Sequence, residues 1–511
     1  MSAKTTGAGK QIKVGVVISY TLILLNTLYG MFVTPYIISC LGDAEYGVYK
    51  TISALGASLM VLDLGIGSTV MRYISKYNAA KEEDKIPNFL AMMFIQAGAL
   101  CGAVLVVGFV IFFFIGPVYS KTFTDAQISK AQLLFVILLF NMALHVIQNV
   151  FNGIITGSNK MIFGNGIKLV RLLSRIILLV VLLTLFKNSL AIVLLDLTLT
   201  ASFLLIEIVY VFFKLKIRVK LKHWEKSLFL ESGKYTLMMF LTSIAAQVNN
   251  NLDNVLIGAI SGAEFVTVYS LGLMIFAMYE NLSTSISGIM LPTVTNALHQ
   301  ENGMKKVIDL VVQAGRVQFM LLGAAVVGFA IIGKEFLLLW LGEGFEDIYI
   351  ITLILMIPSL FELCVNVCLS ILRAKNMLTF RTGILFASTA LNAVVTIVAV
   401  SCWSYIGAAI GTATSFIIGS LIVMNIYYYK KLKLPMLKIY ARIFHKIWIC
   451  LALAGGALYL SSRYLYGSLW TFLANVAIFC VVYGATLLLF GLDKAEMMHI
   501  PVLKKFVKNK R

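Results

Sequence analysis

The chain has 511 residues, 60% of them hydrophobic and only 13% charged, with a mean hydropathy of +0.92. These values exclude a water-soluble globular domain, and with 7 Pro and 38 Gly they also exclude a disordered or collagen-like chain. The excess of 42 Lys and Arg over 23 Asp and Glu, a net charge of +19, would point to nucleic acid in a soluble protein; here it points to a membrane surface, and no nucleic-acid partner is expected.

A bilayer core of about 30 Å needs roughly 20 apolar residues of helix per crossing. Fourteen stretches are read as spans, at 13–40, 46–74, 88–117, 130–156, 167–186, 189–213, 234–260, 264–292, 307–332, 348–373, 378–401, 405–429, 441–461 and 467–490. The first follows Lys4, Lys10 and Lys13 as a signal peptide would. It is too long and lacks a small-residue cleavage site, so it is expected to stay as a helix. Assigning the connections to alternate sides leaves only Lys121, Lys130, Lys187, Lys334 and Arg463 on one of them, with Lys50 just inside the second stretch. The positive-inside rule then puts both termini in the cytoplasm.

The expected fold is an all-α polytopic membrane protein of about 14 helices. The longest basic connection, 214–233, carries Lys214, Lys216, Arg218, Lys220, Lys222 and Lys226 with His223 and Trp224. It is either a positive-inside linker or a seat for an anionic lipid headgroup. A faint repeat flanks it: Ala44-Glu45-Tyr46 enters the second stretch as Ala263-Glu264-Phe265 enters the eighth. The chain therefore divides into an N-terminal lobe (1–213), the linker (214–233), a C-terminal lobe (234–429) and a terminal helix pair with a basic tail (430–511), six helices to each lobe.

Polar residues recurring every three or four positions mark a helix face turned from lipid. The first stretch has Asn26; the fourth has Asn141, His145, Gln148, Asn149 and Asn152; the seventh has Gln247, Asn250, Asp253 and Asn254; the tenth has Ser359, Glu362, Asn366 and Arg373. Each stripe alone is explained by interhelical hydrogen bonds, whereas the collection points to a hydrated cavity between the lobes. Gly407, Gly411, Ser415 and Gly419 form a small-residue stripe that reads as helix packing.

Charges add a chemistry. Lys168, Arg171 and Arg175 share a face of the fifth helix, with the two arginines roughly 6 and 12 Å from its inner end. With Arg373 they would suit a phosphate or pyrophosphate, which guanidinium grips bidentately; snorkelling to the interface is the alternative. Asp63, Glu280 and Glu362 lie near mid-span and Asp253 sits within the Asn stripe, so they are candidate cation-coupling groups, or else static pairs or neutral acids. Pro358 removes one helical hydrogen bond and is expected to kink the tenth helix.

The chain lacks HExxH, GxSxG and a workable P-loop, and its seven cysteines are scattered without a CxxC, so no metal site or cofactor is expected and the chain is not read as an enzyme. Any coupling would use H+ or Na+.

Pro35-Tyr36-Ile37-Ile38 leading to Leu41-Gly42, then Glu45-Tyr46-Gly47, resembles the opening of the Wzx-type polysaccharide flippases of the multidrug/oligosaccharidyl-lipid/polysaccharide (MOP) exporter superfamily. So do Asn250-Asn251-Leu252-Asp253-Asn254 and Leu339-Trp340-Leu341-Gly342. The resemblance implies a MATE-like fold in the bacterial inner membrane, and two lobes in one chain, enough for a complete pathway, make a monomer the expected state. Its activity would be alternating-access translocation of an undecaprenyl-pyrophosphate-linked oligosaccharide, with a polysaccharide polymerase and a chain-length regulator as partners. On that picture Lys168, Arg171, Arg175 and Arg373 hold pyrophosphate and the Asn and Gln stripes hold sugar. Lipid II is the poorer substrate, since the deep arginines of its flippases are missing from the first and eighth helices. The alternatives are a drug/cation antiporter, which usually has twelve spans, and a membrane-embedded polymerase or ligase, which usually carries a large outer loop with catalytic Arg or His. No outer segment here is of that kind.

Overall fold

The structure, a computed structural model, describes residues 18, 21–22, 25–26, 28–59, 65–158, 160–298, 303–375 and 377–492, and within these leaves some side chains undescribed, among them 234–250 and 284–289. Asp63 lies outside the described residues, and Gln247 and Asn250 are placed by backbone only.

Every described element is helical. In chain order they are α1 (Leu28–Leu41), α2 (Asp43–Leu59), α3 (Ile66–Ala80), α4 (Ile86–Tyr119), α5 (Asp125–Gly157), α6 (Met161–Phe186), α7 (Ser189–Val209), α8 (Lys226–Ile260), α9 (Ala263–Leu298), α10 (Gly303–Leu341), α11 (Asp347–Cys364), α12 (Cys368–Ala374), α13 (Leu378–Ser415), α14 (Met424–Leu432), α15 (Met436–Phe444), α16 (Ile447–Tyr464) and α17 (Leu469–Thr486). Ten described helical segments are long and apolar enough to cross a bilayer, one of them the 53-residue run Phe380–Leu432. That run contains two of the expected spans. Trp403 and Ser404 leave helical geometry, Ser404 with φ 50°, and the chain folds back there.

The chain forms two compact units, Met1–Thr267 and Val268–Arg511. In the first, α5 is the central post, packed against α2, α3, α4, α6 and α7. Its N-terminus is set by a reciprocal capping box between Thr124 and Gln127. Close approach to α3 depends on absent side chains: a Cβ on Gly153 would lie 2.5 Å from the Gly67 carbonyl oxygen, and one on Gly67 would lie 2.9 Å from that of Asn149. The face of α4 turned from this core carries exposed Val106, Phe109, Val110, Phe113 and Phe114, as a lipid-facing surface requires. The two repeat-related helix starts also meet in this unit, where Gly47 packs on the Ala263 backbone and the Thr267 hydroxyl donates to the Asp43 carbonyl at 2.7 Å.

In the second unit α10 packs against α11, α15, α16 and α17. Gly315 lets α10 lie against the Cys364 carbonyl. The small-residue stripe packs helix on helix, with Gly407 against Ala399, Gly411 against Thr396 and Gly419 against Ser388. Helix α11 contains Pro358 and continues to Cys364, and the interruption before α12 lies at Val365–Val367. There the backbone switches to i→i+3 bonds, such as Cys368 N to Val365 O at 2.8 Å.

Candidate functional site

Three helices of the first unit each turn one face to a common point. On α5 the face is His145, Gln148 and Asn152; on α6 it is Lys168, Arg171 and Arg175; both follow the i, i+3, i+7 spacing of one helix side. The third face, on α7, is Asp196, Thr200 and Glu207. Since α6 and α7 form an antiparallel hairpin, these groups meet as rungs.

At the outermost rung Arg175 meets Asp196 through two bonds, Nε to Oδ1 at 2.6 Å and Nη2 to Oδ2 at 3.0 Å, while Nη1 donates to the Tyr29 hydroxyl at 2.6 Å. This fork-to-fork pair and the tyrosine together engage all three guanidinium nitrogens. At the middle rung Arg171 donates to neutral acceptors, Gln148 Oε1 at 3.1 Å and Thr200 Oγ1 at 2.8 Å, and its Nη2 lies 3.4 Å from His145 Nε2. It forms no carboxylate ion pair among the described residues. At the innermost rung the Glu207 side chain is 2% exposed, and its Oε1 accepts from Gln148 Nε2 at 3.3 Å and Asn152 Nδ2 at 3.4 Å. Its Oε2 has no hydrogen-bond partner among the described residues.

Between these rungs lies a cavity of about 280 Å³, lined by His145, Gln148, Asn149, Asn152, Ile167, Lys168, Arg171, Phe203 and Glu207. It is on the scale of one headgroup, just below the roughly 300–1,000 Å³ of a drug-sized pocket. Its chemistry is two cations, one carboxylate and several amides, a set suited to an anion bearing hydroxyl-rich substituents.

The other sequence-selected residues are distributed elsewhere. Asn141 is buried on α5 with its Oδ1 unpartnered among the described residues, as is that of Asn254 on α8, beside buried Asp253. Asn26 is exposed and donates to the Leu22 carbonyl one turn back. In the second unit Glu280 and Glu362 lie close enough for their charges to act on one another, and Ser420 donates to Glu362. Ser420 belongs to a π-helical stretch, Phe416–Val423, and Asn366 to the α11–α12 interruption, two irregularities of the kind found at functional sites. Arg373 is exposed at the end of α12, in a different unit from Arg171. Asp196, Glu207, Thr200 and Tyr29 were not singled out from the sequence. The signal was present, since Asp196 and Glu207 are three helical turns apart in one apolar stretch, with Thr200 one turn from Asp196.

Ten bilayer-length helical segments among the described residues, in two compact helical units, define a multi-pass membrane protein. Residues 12–298, more than half of the chain, match the model of the polysaccharide biosynthesis protein family, and the chain belongs to that family. A relative, the probable flippase AglR of Haloferax volcanii, is 26% identical over 179 residues, covering 34% of this chain and 37% of the relative. The fold resembles that of the lipid II flippase MurJ in an inward closed conformation, with TM-score 0.67 at 14% identity over 92% of this chain and 97% of MurJ. It also resembles an inward-facing multidrug resistance MATE family transporter, with TM-score 0.66 at 16% identity over 82% of this chain and 98% of that one. The chain thus has the fold of the MOP superfamily, as its resemblance to the Wzx-type flippases implied.

Proposed function

We propose that this protein is a flippase that moves an oligosaccharide carried on a prenyl diphosphate across the bacterial cytoplasmic membrane, for surface polysaccharide biosynthesis. The observation that carries this reading is Arg171, a guanidinium inside the apolar helices whose partners are all neutral and which faces a headgroup-sized cavity beside Lys168. A cation so placed, with no carboxylate bonded to it, keeps its guanidinium available to an entering anion. The amides of Gln148, Asn149 and Asn152 supply donors and acceptors to the adjoining sugar. Arg175 acts one step removed: locked onto Asp196, it fixes the α6–α7 register that aims Arg171.

Transport proceeds by alternating access, and Glu207 sets its electrostatics. The carboxylate opposes an incoming diphosphate in the same cavity, so a cation or proton that neutralises it favours the loaded state. Glu280 and Glu362 in the second unit form a separate candidate coupling pair. The segregation of Lys and Arg supports cytoplasmic termini. Glu207 also favours a second reading, a cation antiporter, because a buried carboxylate can bind a cationic drug.

The test is leaflet movement in proteoliposomes of a fluorescent prenyl-diphosphate oligosaccharide, beside uptake of a cationic dye. Movement of the lipid-linked sugar alone supports the flippase. Dye movement without sugar movement replaces it with the antiporter, and elongation of the sugar replaces it with an enzyme.

A further inference from the structure

The basic connection between α7 and α8 is not a loose loop. Leu215, Ile217 and Val219 pack against the core of the first unit, while Lys214, Lys216, Arg218, Lys220 and Lys222 are all exposed. Lys214 closes the π-helical turn Tyr210–Lys214 and Lys216 has φ 55°, so the chain leaves the helix there; beyond it inward Ile217 and Val219 alternate with outward Arg218 and Lys220, the side-chain pattern of extended backbone, which spaces alternate residues about 6.7 Å apart. The backbone is pinned. Lys220 N donates to the Pro87 carbonyl at 3.1 Å, and Lys222 N and His223 N donate to Asn88 Oδ1 at 2.8 and 3.1 Å.

The nearby carboxylates are engaged elsewhere: Glu225 with Asn88 and His223, Glu231 with the Tyr73 hydroxyl. None of the five cations forms an ion pair among the described residues. Exposed aromatics flank the row at both ends, Phe213 at 77% and Trp224 at 51% exposure, where amphipathic rings settle at a headgroup layer. The row follows directly on a bilayer-length helix that ends at Lys214.

We propose that this strap is a docking rail for anionic phospholipid headgroups, a site separate from the substrate cavity and independent of what the protein transports. A fixed row of unpaired cations at the membrane surface gathers anionic lipid, and each charge contributes about a fivefold preference. An internal acidic partner segment is the less suitable occupant, because the exposed apolar rings at each end would face water.

The test uses the full chain in vesicles, with Trp340, Trp403, Trp448 and Trp470 replaced by Phe so that Trp224 alone reports. Phosphatidylglycerol or phosphatidylcholine brominated near the headgroup is added at equal, low mole fraction. The expected result is that the brominated anionic lipid quenches as if enriched about fivefold or more over the zwitterionic one. This preference should vanish when Lys214, Lys216, Arg218, Lys220 and Lys222 are all replaced by Gln. It should also fall as salt shortens the screening length from about 30 to about 3 Å. The salt series needs no charge variant, so it decides the matter if the fivefold variant fails to fold. Equal quenching by the two lipids, or a preference unaffected by both the charge changes and salt, would overturn the proposal.

Discussion

Arg171 in the first unit and Arg316 in the second are both guanidiniums set among apolar helices, yet they are held in opposite ways. Arg316, 3% exposed, donates to three backbone carbonyls, those of Arg442 and His445 at 3.2 Å each and of Gly491 at 2.7 Å. The first two lie at the C-terminal end of α15 and the third at the end of the helix continuing α17, positions where carbonyls lack helical partners and where the helix dipole is negative. Arg316 is a staple. Arg171 has two neutral side-chain acceptors and a histidine nitrogen, and it borders open space. Arg175, one helical turn from Arg171, is staple-like in bonding, held by Asp196. Residue type is the same in all three, so what separates a structural arginine from a binding one is whether its partners enclose it, as the helix-end carbonyls enclose Arg316, or leave it bordering a cavity, as with Arg171.

The largest expected effect falls on the staple. Arg316→Met leaves three buried carbonyls without a donor and should cost about 3 kcal/mol or more, seen as a clearly lowered melting temperature in detergent. A variant that melts like the wild type would break the comparison at its structural end. Next comes the outer rung, where Asp196→Ala should cost about 2 kcal/mol by stranding Arg175. Adding Arg175→Met should recover much of that loss, and additive losses in the double-mutant cycle would show that the two do not act as a pair.

Arg171→Gln should leave melting nearly unchanged while weakening diphosphate binding about tenfold, the loss of roughly 1.4 kcal/mol. Comparable losses of melting temperature in Arg171→Gln and Arg316→Met would remove the distinction between them. The smallest effect has the opposite sign. Glu207→Gln keeps the shape and the amide contacts but deletes the opposing charge, so headgroup affinity should rise by about threefold, on the order of 0.6 kcal/mol. Weaker binding in that variant would mean that the carboxylate serves the substrate directly.

Much of this contrast was legible in the residues. The three-residue and seven-residue spacing of Lys168, Arg171 and Arg175 placed them on one side of a helix, and the His145, Gln148 and Asn152 stripe placed a complementary side opposite. What the spacing could not supply was the register between α6 and α7, which decides that Asp196 meets Arg175 while Arg171 falls between Asp196 and Glu207. The fifth-helix arginines therefore looked equivalent, although one is paired and one is not. The packing stripe from Gly407 to Gly419 was readable for a simpler reason: a surface of small residues has only close approach to offer.

The central claim is that the anion seat lies in the first unit at Arg171. The most direct measurement is the affinity of a short-chain prenyl diphosphate for the detergent-solubilised wild type, Arg171→Gln and Glu362→Gln. The account predicts about tenfold weaker binding for Arg171→Gln and wild-type binding for Glu362→Gln. Unchanged affinity in a well-folded Arg171→Gln, or a loss confined to Glu362→Gln, would contradict it.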